Sequence, residues 1–142
     1  MRHHLVLRVI AKLLMPFILV FALYVQFHGD FGPGGGFQAG VIFAAAFILY
    51  ALIYGLDHAR KTAPSGAIRL LVALGVLIYA GTGVAAMFLG GTFLDYSVLG
   101  PTPHDGQHYG ILLVEFGVGV TVAAVMIMIF FLFAGRGRRG DA

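Results

Sequence analysis

An all-α integral membrane protein of four transmembrane helices, with both termini cytoplasmic, is the fold this sequence predicts. Three observations carry that prediction. Of 142 residues, 60% are hydrophobic and only 11% charged, and the mean hydropathy is +0.95. Soluble domains carry about 25% charged residues, so this composition cannot supply a water-facing shell. Four continuous apolar runs, at residues 8–27, 37–56, 69–90 and 109–133, are each long enough to cross a hydrocarbon core of about 30 Å, which takes roughly 20 helical residues. Finally, the nine Lys and Arg residues are confined to alternate loops and ends.

The basic residues set the orientation. Arg2, Arg8 and Lys12 precede or begin the first run, Arg60, Lys61 and Arg69 separate the second from the third, and Arg136, Arg138 and Arg139 follow the fourth. The connections 28–36 and 91–108 contain neither Lys nor Arg. The positive-inside rule therefore predicts cytoplasmic termini and a cytoplasmic middle loop. The net charge of +3 is accounted for by this distribution and calls for no nucleic acid.

A transmembrane β-barrel does not fit, because the runs are continuous rather than alternating and too few. The absence of cysteine removes disulfide frameworks and thiolate metal sites. Residues 1–142 read as a single membrane domain without internal repeats.

Taken in order, the first run lacks a small-residue cleavage site and reads as a retained helix rather than a signal peptide. Arg8 and Lys12, one turn apart, can extend their stems to the interface. The second run places Gly40, Ala44, Ala51 and Gly55 within about 60° of one another at 3.6 residues per turn. Such a stripe of small residues lets helix backbones approach closely in lipid. In the loop that follows, Asp57 and Arg60 are three apart and suit a weak pair. Pro64-Ser65-Gly66 then breaks the chain and offers Ser65 as a cap for the third run. The third run repeats the small-residue seam with Thr82, Ala86 and Gly90, and the fourth with Gly117 and Thr121. The outer loop 91–108 carries aromatics around Phe93–Leu99 that suit the interface, and the basic tail from Gly135 reads as disordered over anionic lipid.

Chemistry-bearing side chains gather at one end. Glu115 is the only carboxylate well inside a run, about 9 Å along the helix from Tyr109. An ionised carboxylate there costs a few kcal/mol, so it should face protein or water. Two readings are open: a protonated Glu bonding between helices, or a group that contacts an ion or proton route. His28, Asp30, Gln38, His104, Asp105, Gln107 and His108 lie at the same outer depth, and histidines there can exchange protons near neutral pH. His104 and His108 are spaced four apart, as zinc ligands are when helical, but no Glu follows His104 in the hydrolase pattern, and no metal is expected. Gly34-Gly35-Gly36 opens a helix, which admits an anion, but the favoured reading is a tight turn packed close against neighbouring helices. It is not a nucleotide loop, since no Lys-Ser/Thr follows.

The first three runs hold no Lys, Asp, Glu or His near mid-bilayer, and Tyr79 there suits a packing bond. A self-contained pump needs charged groups along its path, so any ion path needs parts from other chains. The alternative is a small homo-oligomeric channel or transporter with Glu115 repeated around a pore.

The stretch His28-Gly-Asp-Phe-Gly-Pro33-Gly34-Gly35-Gly36-Phe-Gln38-Ala-Gly40 resembles the hallmark of the MnhB/MrpB-like subunits of Mrp-type (Mnh, Sha) multisubunit sodium/proton antiporters. His108–Val122 resembles the last helix of the same family, and the likeness extends from Arg8 to Phe133. The sequence departs from the commoner form by placing His28 five residues before Pro33. The resemblance implies an accessory, non-enzymatic subunit without a cofactor in a multi-pass complex of a bacterial inner membrane. Its partners would be larger antiporter-like subunits and the lipid bilayer, and sodium and protons would move at the level of the complex. Glu115, His28, Asp30, Gln38 and His108 are then the candidates for an ion route or polar contact, Pro33–Gly36 for the turn, and Gly40, Ala44, Ala51, Gly55 and Gly117 for helix packing.

Overall fold

The computed structural model describes residues 5–136; Arg2 and the tail beyond Arg136, including Arg138 and Arg139, lie outside them. The described residues form four long helices and one short one: α1 (Leu5–His28), α2 (Gly36–Tyr54), α3 (Leu56–Thr62), α4 (Ser65–Phe88) and α5 (Pro103–Ala134), with a 3₁₀ turn at Tyr96–Val98. There are no strands among the described residues. α1, α2, α4 and α5 are each long and apolar enough to cross a membrane.

The helix ends differ from the expected ones, and each difference has a chemical cause. α5 begins at Pro103 rather than near 109. Thr102 is its N-cap, accepting from the Asp105 N–H at 3.2 Å and donating its hydroxyl to Asp105 Oδ2 at 2.7 Å, and Pro103 supplies a preset φ at the first helical position. Gly55, expected in the packing stripe, faces open space at φ +98; it stops α2 and starts α3. Gly90, expected in the seam of the third run, is instead the left-handed residue of a Schellman ending: its N–H bonds Met87 O at 3.2 Å and the Gly91 N–H bonds Ala86 O at 3.0 Å. Ser65 makes no cap bond, because Pro64 holds the cap position and Ser65 is already helical.

The helices form a layer in the order α1, α2, α5, α4. Two glycines of α5 set that order. Gly117 and Gly119 are two residues apart, about 200° around the helix, and so serve opposite neighbours. A β-carbon on Gly117 would stand 2.9 Å from Gly75 O of α4, whereas Gly119 lies against Gly36 and Gly40 of α2. On the α4 side the Thr121 hydroxyl donates to Gly117 O at 3.0 Å and sits against Gly75. The buried residues are mostly Ala and Gly, while Phe17, Val20, Phe21, Leu77 and Phe88 are exposed. With lipid tails as apolar as leucine, it is close backbone packing that holds such a layer together.

At the basic end, side chains join the elements. The Tyr54 hydroxyl donates to Arg8 O at 3.2 Å, and Arg60 donates to Phe131 O at 3.2 Å while lying over the Phe131 ring. The loop between α4 and α5 packs back on both helices. Phe93 packs on Gly83 of α4, the Tyr96 ring covers Gly110 of α5, and Leu94 adopts φ +63 within this tight excursion.

Candidate functional site: the glycine turn under Glu115

The turn between α1 and α2 is built from residues that can tolerate contact with bare backbone. Phe31 and Gly32 N–H both bond His28 O, at 3.0 and 3.1 Å, and Gly35 N–H bonds Val25 O at 3.1 Å. A side chain on Gly34 would meet Val25 O at 2.8 Å, and Gly35 has φ +120, a conformation glycine adopts without strain. Gly36 has no room for a β-carbon: it would collide with the Glu115 carbonyl and stand 3.0 Å from Gly119 N. Gly40 continues the crossing, where a β-carbon would stand 2.7 Å from Gly119 O, and Ala44 and Ala51 further along α2 are buried.

Glu115 closes over this turn. A β-carbon on Gly29 would stand 2.5 Å from Glu115 Oε2, and one on Gly35 2.9 Å from Oε1. Gly35 is the N-cap of α2, so the carboxylate lies at the end of a helix whose first N–H groups lack helical acceptors and whose dipole favours negative charge. Because α5 starts at Pro103, Glu115 lies twelve residues along the helix and about 28 Å from Ala134. That distance is close to a full hydrocarbon thickness, so Glu115 lies toward the Pro103 end of the span rather than at its middle.

The other candidates divide around it. The His108 ring nitrogen Nδ1 contacts the Asp30 carboxylate, tying the turn to α5 across 78 residues of sequence. The Asp30 side chain is 25% exposed and that of His108 44%, so water reaches this pair. Gln38 is exposed on α2, its Oε1 3.6 Å from the position of a Gly35 β-carbon. His28 points elsewhere, stacked on Tyr24 with centroids 5.3 Å apart and its Nε2 beside Gly32. His104 is 96% exposed and lies off the cluster. Pro33 is exposed at the tip of the turn.

Sequence reasoning missed Gln26. It is 8% exposed on α1, its Oε1 against Gly119, where a β-carbon would approach to 2.6 Å. Gln26, Gly119 and Glu115 thus continue the polar region one turn inward, where it meets an apolar groove of about 370 Å³ lined by Leu23, Phe43, Phe116 and Ile127 among others. A single Gln two residues from the end of an apolar run carries no sequence signal. The cap at Thr102 did carry one, the Thr-x-x-Asp spacing ahead of an apolar run. Tyr96, one of the aromatics expected to suit the interface, covers Gly110; burial first, and the nearby Tyr79 second, raise its phenol above the usual value.

Comparison with known proteins agrees with this architecture. Residues 6–128 match the domain described as related to the MnhB subunit of Na+/H+ antiporter. Antiporter subunit mnhB2 of Staphylococcus aureus strain Newman is 35% identical over 133 residues, covering 92% of this chain and 94% of that protein. The same figures hold for its counterparts in strains COL and NCTC 8325. The match takes in the glycine turn, Glu115 and the crossing of α2 with α5, and the chain belongs to the MnhB-related family of Na+/H+ antiporter subunits.

Proposed function

We propose that this chain is an accessory subunit of a multisubunit monovalent cation/proton antiporter in a bacterial inner membrane. It acts as one membrane domain with both termini cytoplasmic, alongside larger subunits that carry the main ion path. The observation that carries this reading is the family match over residues 6–128 in a chain whose spans hold no charged group near mid-bilayer. The exposed apolar faces of α1 and α4 are the surfaces for partner subunits and lipid. Recovery of the tagged chain from its native membrane in a large complex with long antiporter-like subunits is the expected result; recovery as a small homo-oligomer would overturn it.

Within that complex, Glu115, Asp30 and His108 border the outer mouth of an ion or proton route, with Gln38 and His28 at its margin. Glu115 can exchange a proton with water at the rim, and the nearby Asp30–His108 pair can pass it on. Glu115→Gln keeps shape and removes charge. The expected outcome is an assembled complex whose exchange rate falls about tenfold, a loss of roughly 1.4 kcal/mol of transition-state stabilisation. Normal exchange across pH in the assembled variant removes Glu115 from the route. Failed assembly makes it a structural partner of the α2 N-terminus.

A further inference from the structure

The basic end of the layer holds an opening that the antiporter reading does not use. It has a volume of about 320 Å³ and is lined by Arg8, Ile53, Tyr54 and His58. Its walls come from three elements: the start of α1, the end of α2, and α3. The chain turns between the last two at Gly55, whose φ of +98 sends α3 away from the axis of α2 and leaves the space open. The Tyr54 hydroxyl pins the backbone of Arg8, so the α1 and α2 walls are fixed in relation to one another.

Two arginines of this end, Arg8 and Arg60, differ in what they touch. Arg60 has a carbonyl acceptor and a ring. Arg8 has the ring alone: its guanidinium carbon is 5.2 Å from the Tyr54 centroid. Its side chain bonds no acceptor among the described residues, and neither does that of His58. Contact with a ring face uses none of the five guanidinium N–H donors. A guanidinium at the end of a membrane-crossing helix needs an anion or water for those donors, and planar paired donors match phosphate oxygens.

We propose that this opening binds the phosphodiester headgroup of an anionic phospholipid. Arg8 holds the phosphate oxygens, His58 donates from the α3 side, and Tyr54 forms the floor. The acyl chains of that lipid run along the exposed apolar faces of α1 and α2 beside Ile10 and Leu52, so a headgroup at this depth has its tails in hydrocarbon.

The test uses the native complex and the full-length chain in nanodiscs, counting phospholipids that survive delipidation by native mass spectrometry. In phosphatidylglycerol discs the chain is expected to retain one phospholipid. Arg8→Gln should lower its retention at least tenfold and His58→Gln should lower it less. Arg69→Gln, on a side chain already bonded to Ser65 O at 3.3 Å, should change nothing. Equal retention by Arg8→Gln and wild type overturns the proposal, as does equal retention of phosphatidylcholine. Displacement by millimolar inorganic phosphate would replace the lipid by a free anion. Loss of a partner protein from the Arg8→Gln complex with the lipid count unchanged would assign the Arg8 anion to a partner's carboxylate.

Discussion

The two ends of the helical layer are held together by opposite means. At the basic end, side chains reach across gaps: Tyr54 to Arg8, and Arg60 to Phe131. At the other end, backbones touch directly through Gly36, Gly40 and Gly119, and side chains are nearly excluded from the crossing. Long flexible side chains adapt when a neighbour shifts, whereas a backbone crossing has one geometry. The end that carries Glu115 is therefore the rigid one, and the basic end is the compliant one.

The largest expected effect breaks the rigid end. Gly36→Val drives a side chain into the Glu115 carbonyl and must force α2 from α5. Overpacking commonly costs 1–3 kcal/mol, and a backbone obstacle that cannot rotate away puts this variant at about 3 kcal/mol or more. The expected readout is loss of a monodisperse, thermally cooperative species in detergent. Gly75→Val should do the same between α4 and α5, whereas Gly55→Ala, which faces open space, meets no neighbour and should cost only the backbone strain of its φ +98, ψ 154 conformation, about 1–3 kcal/mol.

Next in size is the tie between turn and helix. Asp30→Asn removes a charge-assisted contact to His108 that water partly screens, so about 1 kcal/mol is expected, with faster hydrogen exchange confined to residues 28–36. An equal effect across all four helices would show that the pair does more than fasten the turn. At the compliant end, Tyr54→Phe should cost about 0.5–1 kcal/mol, the usual net contribution of one hydrogen bond, and leave ion exchange unchanged. Assays of thermal midpoint and exchange on the same preparation check both parts.

The smallest effect concerns pH. Burial keeps the Tyr96 phenol protonated above its ordinary value near 10, so the folded loop binds that proton more tightly than the unfolded chain. The associated stability is complete below about pH 10 and declines as pH rises toward the folded value. Tyr96→Phe, which keeps the ring over Gly110, should flatten this alkaline decline in thermal midpoint. An unchanged slope would assign the decline to other groups.

The sequence was most informative where a physical rule needs only one helix. Four apolar runs give four spans, and the small residues Gly117 and Thr121 give the seam of α5 toward α4; the opposite face at Gly119 emerged only from the structure. The extra turn and a half of α5 was also legible, in Thr102-Pro103-His104-Asp105, once cap chemistry is weighed above hydropathy. Gly55 and Gly90 show the ambiguity that remains at helix ends: a small residue on the right face serves packing or termination, and only its φ separates the two. The pairing of Asp30 with His108 and the seat of Glu115 over Gly29 and Gly35 lay beyond sequence reading, because nothing local ties residues 78 or more positions apart. Gln26 stayed hidden for a different reason, since its burial depends entirely on where α5 crosses.

At 32 residues, α5 is about 48 Å long against a hydrocarbon thickness of about 30 Å. The surplus sits beyond Glu115, at the end capped by Thr102. A thicker or thinner bilayer can slide along that surplus, or tilt it, without moving the carboxylate relative to the turn it covers. The geometry around Glu115 is thereby referred to a helix and not to the membrane surface, so remodelling of the surrounding lipids is expected to leave it unchanged.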